Sequence, residues 1–333
     1  MRSKQFDLPF LAKKRNETDS WADLWASAAS KHFVLKVQIQ DILQWLNGSK
    51  NDISPQIENF FQPYFKHIQL PHWADTSKMQ AGAKFFQKHQ SIILHLLGVL
   101  SLPYCYAAKN GVQVLSFSGR LQNDTLQRLR ETAIFTLKAN SFSTEKIKDW
   151  QKEIAKIRLL HSFVRLFIWQ SGKWQATWGE PINQEDMAGT NLSFSFIVLR
   201  GMRKLGIDFS EKEAENFLHL WNVVGYLMGV NEDLLPFSMR EAYWLDKQIA
   251  TTQFQESEEG KKLTQALIET FYKNLPSRFF ADLAVAEMRF LLGKEVADML
   301  AVPTIVWNKN FLTENLALQI NKWIISSQKI VVK

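Results

Sequence analysis

The chain has one cysteine, Cys105, in 333 residues. That excludes an internal disulfide and any zinc or iron–sulfur site built on several thiolates. Such sparing use of cysteine suits a reducing compartment, and the expected location is cytoplasmic. Glycine and proline are also scarce, at 14 and 9, which fits a helix-rich chain better than many short strands and turns. Acid is missing over one long stretch. No Asp or Glu lies between Asp75 and Asp124, whereas Lys78, Lys84, Lys88, Lys109 and Arg120 do. Two readings fit: a buried, acid-poor core segment, or a basic surface for anionic lipid or cofactor carboxylates. Long apolar runs are missing too. The longest, residues 91–108, is interrupted by His95, Gly98 and Pro103. It reads as a buried helix ending near Pro103 rather than as a bilayer span. Residues 1–19 hold basic residues without an apolar core and do not read as a secretory signal. Peripheral membrane contact stays open. There is no G-x-G-x-x-G, Walker A, H-E-x-x-H or G-x-S-x-G motif.

What is present is a large apolar inventory: 46% hydrophobic residues, with 12 Trp and 24 Phe. This length and composition can bury a sizeable core. The net charge of +7 is spread along the chain and mixed with acids, unlike the concentrated patch of a nucleic-acid binder. Helical spacing covers most of the chain. Asn47-Gly48 ends an element over 20–46, and a helix follows Pro55. Residues 78–102 form one long or two short helices. Asp124 with Gln127, and Ser210 with Glu213, are capping-box patterns, and Asn183 with Asp186 is another start signal. Residues 240–254, 257–274 and 279–299 read as helices, and Leu312 to Ile325 as an amphipathic C-terminal one. GVQVLSF at 111–117 alternates and reads as a short strand or hairpin arm. The expectation is one all-α domain over 19–333, preceded by a flexible tail over 1–18.

One helical stripe carries chemistry. Ile147, Trp150, Ile154, Ile157, His161, Val164 and Ile168 recur at steps of three and four and share a face. A histidine there points inward and requires a hydrogen bond or a metal. Arg158 and Arg165 lie on either side of it. A satisfied core histidine fits this pattern. So does a haem axial ligand with arginines at the propionates. The other histidines offer less. His89 and His95 are not spaced as ligands on one helix face. His67 and His72 flank a proline-containing loop. His219 lies off the Phe217/Trp221 stripe and reads as structural.

Five segments together resemble one family: LSLPYCYAA (100–108), RLRETAIF (128–135), KIRLLHSFVR (156–165), WGEPINQEDMAGT (178–190) and LHLWNVVGYLMGVNEDLLP (218–236). They are similar, in order, to segments of the latex-clearing proteins, or rubber oxygenases. That family also includes the endoplasmic-reticulum oxygenase of mycophenolic acid synthesis. The resemblance implies an all-α, globin-like helical core around non-covalent haem b. It makes His161 the proximal iron ligand and places Arg128 and Thr132 on the distal side. The spacing agrees, since residues four apart share a helix face. Glu131 stands where some rubber-cleaving relatives have a lysine. The acid-poor stretch offers no upstream carboxylate, so Glu131 is the candidate base, and a solvent-facing role is its alternative. Gln184 and Glu185 read as helix-capping neighbours or as supports of the site.

The resulting expectation is a haem b-dependent oxygenase that adds O2 across a carbon–carbon double bond of an apolar, isoprenoid-like or lipid-like substrate. His161 would bind the iron, with Arg158 and Arg165 toward the cofactor and Arg128, Thr132 and Glu131 in catalysis. No nucleic acid and no obligate protein partner are implied. Rival readings are a haem hydroxylase or peroxidase, a non-catalytic haem or gas sensor, and a helical scaffold without haem.

Overall fold

The computed structural model describes residues 6–33, 35–48, 50, 52–117 and 125–305. Its elements are α1 (Leu8–Lys14), α2 (Ser20–His32), α3 (Lys36–Leu46), α4 (Pro55–His67), α5 (Thr76–Leu96), α6 (Leu102–Tyr106), α7 (Gln113–Phe117) and α8 (Thr125–Ala139). There follow α9 (Ile147–Gln170), α10 (Gln184–Phe194), α11 (Phe196–Lys204), α12 (Glu211–Leu227), α13 (Met239–Gln253), α14 (Glu258–Asn274), α15 (Arg278–Leu292) and α16 (Lys294–Met299). Helix makes up 75% of the described residues, which form no strand beyond an isolated bridge between Ala108 and Phe254. The all-α expectation holds. The expected helix over Leu312 to Ile325 lies outside the described residues.

Caps set the boundaries as the sequence implies. Ser210 and Glu213 close a reciprocal capping box at the start of α12. Asn183 accepts from the Asp186 N–H and opens α10. Inside, α5 lies along α12, and Gly82 makes the approach close. A Cβ there would stand 2.6 Å from the Asn216 carbonyl oxygen, so only glycine fits without displacing backbone. Trp221 of α12 stacks on Phe194 of α10 with ring centroids 5.0 Å apart and meets Phe135 of α8 edge-on at 6.3 Å. That cluster joins three helices around one fully buried indole.

Three local expectations need correction. GVQVLSF contributes α7, not a strand; five alternating residues cannot separate the two periods by themselves. The apolar run does not end at Pro103. It bends at His89, passes through a π turn over Leu97–Ser101 and continues as α6. Pro103 has no N–H and would crowd the Val99 carbonyl, so the chain widens its hydrogen-bond register just before it.

The third correction concerns the tail. Residues 7–18 are docked. Asp7 caps α1 by accepting from the Phe10 N–H. Arg15 then reaches Glu185 at 2.8 Å and Asp186 at 3.0 Å, and donates to the Trp178 carbonyl. Backbone bonds run from Glu180 N–H to Arg15 O and from Gln184 N–H to Glu17 O. The Gln184 amide ties the Thr18 and Gly229 carbonyls together and accepts from the Asn231 N–H. The distinctive PINQEDM segment is thus the anchor of the chain's first helix.

Burial lifts the Glu185 carboxyl to about 7 against the pull of Arg15. Removing one partner of a buried pair typically costs about 3–5 kcal/mol. We therefore expect Arg15→Ala to destabilise the fold by about 3 kcal/mol at pH 8, read from the urea midpoint. A carboxyl raised in the folded state opposes folding as pH rises, and losing Arg15 raises it further. The deficit should shrink at pH 5.5, where Glu185 is protonated. An equal deficit at both pH values would show that Arg15 acts through packing instead.

Candidate functional site

The site is built on the antiparallel pair α8 and α9. Trp150 donates its indole N–H to the Ala139 carbonyl at 3.0 Å, and Lys138 meets Glu153 at 2.6 Å. These contacts pin the end of α8 to the beginning of α9. Arg128 precedes Ala139 by as many residues as His161 follows Trp150. A rise of about 1.5 Å per residue puts both roughly 16 Å from the pin, at one height on the two helices.

His161 has an unusual environment. Burial, aided by the nearby Arg165 charge, pushes its pKa down to about 4. The imidazole is therefore neutral throughout the physiological range. Its Nδ1 is sealed in with no hydrogen-bond partner. Yet the side chain as a whole is only half-buried, as are its stripe neighbours Ile157 and Val164. His161 is thus enclosed at Nδ1 while part of its ring keeps accessible surface. The opposite face of α9 is different: Ala155, Leu159 and Phe163 are fully buried.

The flanking arginines are held by acids. Arg158 grips Asp19 through two bonds, at 2.5 and 2.7 Å, and lies over the Trp21 ring. Arg165, completely buried, donates to Asp23 at 2.7 Å, to the Ser162 hydroxyl at 2.9 Å and to the Ile182 carbonyl at 3.3 Å. Asp19 is the N-cap of α2 and Asp23 stands on its first turn, four residues on. Gly229, at φ +89, makes room for the first pair. A Cβ there would fall 2.2 Å from the Asp19 carboxylate.

On α8, Leu129, Ala133, Thr136 and Ala139 form the buried stripe, while Arg128, Glu131 and Thr132 are half-buried. Arg128 stands near enough to the buried Tyr106 side chain on α6 for its charge to act on the phenol. The Thr132 carbonyl accepts from the Thr136 hydroxyl at 2.8 Å. Glu131 accepts from the Gln127 amide at 3.3 Å. Sequence reasoning missed Tyr106, Asp19 and Asp23. The position of Tyr106 within LSLPYCYAA was the available signal for the first, and the four-residue spacing of the acids was the signal for the other two.

Other candidates fall away. His95 is fully buried and meets Glu287 at 2.7 Å, and His219 accepts from the Asp75 backbone N–H. Burial lifts the Cys105 thiol to about 11, which removes it as a nucleophile at neutral pH. Among the described residues no group of three His, Cys, Asp or Glu could hold a metal. A metal at His161 would thus come on a cofactor that needs one protein ligand.

The catalytic-domain family described as ER-bound oxygenase mpaB/B′/rubber oxygenase matches residues 93–317. This chain belongs to that family. The rubber oxygenase of Streptomyces sp. (strain K30) is 27% identical over 244 residues, 72% of this chain and 60% of that protein. The chain thus spans less than two thirds of that relative's length. The solved structure of latex clearing protein LCP in the closed state has the same fold, with a TM-score of 0.71 and 22% identity. That likeness covers 96% of this chain and 87% of the other. The family match takes in α8 and α9 but begins after α1–α4, which supply Asp19, Asp23 and a Tyr64 hydroxyl bond to the Ala155 carbonyl. In this member of the rubber oxygenase family, helices outside the matched region hold the candidate ligand helix.

Gly229→Ala tests that support. Positive φ and the clash with Asp19 together should cost at least about 2 kcal/mol. Thermal unfolding should show the loss, and Asp19→Ala should then add little to it. Full additivity would separate Gly229 from the Asp19–Arg158 pair.

Proposed function

We propose that this chain is a haem b-dependent oxygenase that splits a carbon–carbon double bond of an apolar, isoprenoid-like olefin with O2. The observation carrying this reading is His161: neutral, unpartnered at its sealed Nδ1 and still partly accessible, on the helix that the family resemblance makes the iron-ligand helix. A neutral imidazole offers a nitrogen lone pair, the form a haem iron requires. The residues present therefore fit the group, in keeping with the globin-like arrangement expected from the resemblance. Bound there, haem would supply the iron that activates dioxygen.

The protein's own residues do the rest. Arg128, near Tyr106, and Thr132 offer a cation and a hydroxyl donor from one helix. Preorganised donors of this kind stabilise negative charge developing on oxygen. Glu131 is the nearest carboxylate on that helix and would take an allylic proton. Addition of both atoms of O2 across the double bond leaves two carbonyl fragments and needs no external reductant. Of the two flanking arginines, only Arg158 retains accessible surface, so it is the remaining partner for a cofactor carboxylate. Arg165 is sealed and positions α9.

The purified protein should show a Soret band that His161→Ala abolishes while helical circular dichroism persists. Full haem retention in that variant would remove the assignment. Arg128→Ala and Thr132→Ala should keep the band and lose about a hundredfold in olefin turnover. Glu131→Gln should slow turnover without altering the resting spectrum. Labelled dioxygen should appear in both carbonyl products; label in one product as an alcohol would instead identify a hydroxylase.

A further inference from the structure

Away from α8 and α9, helices α11 and α13 enclose an open groove of about 660 Å³. Its floor is apolar: Phe196, Leu199 and Met239. Its rim is cationic: Arg200, Arg203, Lys204 and Arg240, with no acid among the lining residues. The same rim continues along α13. Arg240, Tyr243, Trp244 and Lys247 recur at helical spacing on one exposed face. Tyr243 and Trp244 are 48% and 42% exposed, their rings in edge contact, with the Lys247 ammonium over the indole. Phe237, just before α13, is 42% exposed.

We propose that this groove and stripe dock the protein on an anionic phospholipid surface. Charge complementarity is the first argument. Asp246 and Glu211 answer only Arg200 and Arg203. Arg240 and Lys247 have no carboxylate partner among the described residues. Lys204 is held by the Phe290 and Leu291 carbonyls, and its pKa is lowered by burial and by Arg200. An anion arriving at the rim meets cations that repel one another. The second argument is the aromatic component. Exposed Trp and Tyr beside Arg and Lys suit the headgroup layer, where an amphipathic ring and a cation are both satisfied. The apolar floor accepts the upper part of an acyl chain, which a free phosphate or a nucleic-acid strand would leave unused. No described helix is long and apolar enough to cross a membrane, so attachment would be peripheral. The proposal is independent of haem, because the groove residues lie on other helices and vesicle binding reads them without turnover.

The test is co-sedimentation of the full chain with phosphatidylcholine vesicles and with vesicles containing 30% phosphatidylserine, at about 0.1 M salt. Binding should require phosphatidylserine. Each cation near an anionic surface contributes about a fivefold change in affinity. Arg203→Glu with Arg240→Glu should therefore weaken binding by roughly 25-fold or more, and Trp244→Ser should weaken it with charge unchanged. Arg240→Gln with Lys247→Gln repeats the test if the charge reversals unfold the chain. Absence of binding, equal binding to both vesicles, or wild-type binding by every variant overturns the proposal. So does release by 10 mM inorganic phosphate at constant ionic strength, or tighter binding to single-stranded RNA than to the vesicles.

Discussion

Two carboxylate–guanidinium pairs, Asp19–Arg158 and Asp23–Arg165, decide where α9 lies. The acids are the N-cap and a first-turn residue of α2 and the arginines lie seven apart on α9, so the pairs fix both the height and the rotation of one helix on the other. Rotation matters most here. A turn of α9 by one residue would swing His161 by about 100° out of its present surroundings. Buried pairs of this kind add little net stability, because desolvation offsets most of the attraction. Their effect is geometric, and breaking either would leave a buried charge. Trp21 extends the same joint by lying under Arg158 and stacking on Tyr64, whose hydroxyl bonds the Ala155 carbonyl.

The PINQEDM segment completes this frame from the other side. Ile182 adopts φ 49, uncommon for a β-branched residue, and presents its carbonyl to Arg165. Asn183 then caps α10, while Gln184 and Glu185 hold the backbone and side chains of residues 15–18. Four adjacent residues therefore join α1, α9, α10 and the loop after α12. These long-range duties by themselves give each of the four residues a structural task.

Much of the helical layout was legible because caps and stripes are local signals. Ser210 with Glu213 and Asn183 with Asp186 work within three residues. The His161 stripe was legible for the same reason, and so was the placement of Arg128 and Thr132 on one turn. What escaped the sequence was pairing at a distance. Arg158 and Arg165 looked available for a cofactor because their partners lie on another helix far back in the chain. Residues 1–18 looked like a solvated basic tail because the carboxylates that bury Arg15 lie on α10. The π turn escaped too: Pro103 announced a disruption, but whether a helix stops or widens depends on packing on both sides. Here Ser101 bonds the Ser193 carbonyl and Leu100 packs on Gly201, so continuation won.

The two most perturbed groups around this frame act on stability with opposite sign. His161 has its pKa lowered to about 4, so the stability from its neutral form is present above the unfolded value of 6.5 and lost as pH falls toward 4. Glu185 has its pKa raised to about 7, so its contribution is present below the unfolded value of 4.5 and lost as pH rises toward 7. Between those unfolded values the folded chain refuses one proton at His161 and retains one at Glu185. Each site alone would tilt the stability curve by up to about 1.4 kcal/mol per pH unit. Between those unfolded values the two slopes oppose one another. His161 on α9 and Glu185 on α10 thus tilt the stability curve in opposite directions across that window.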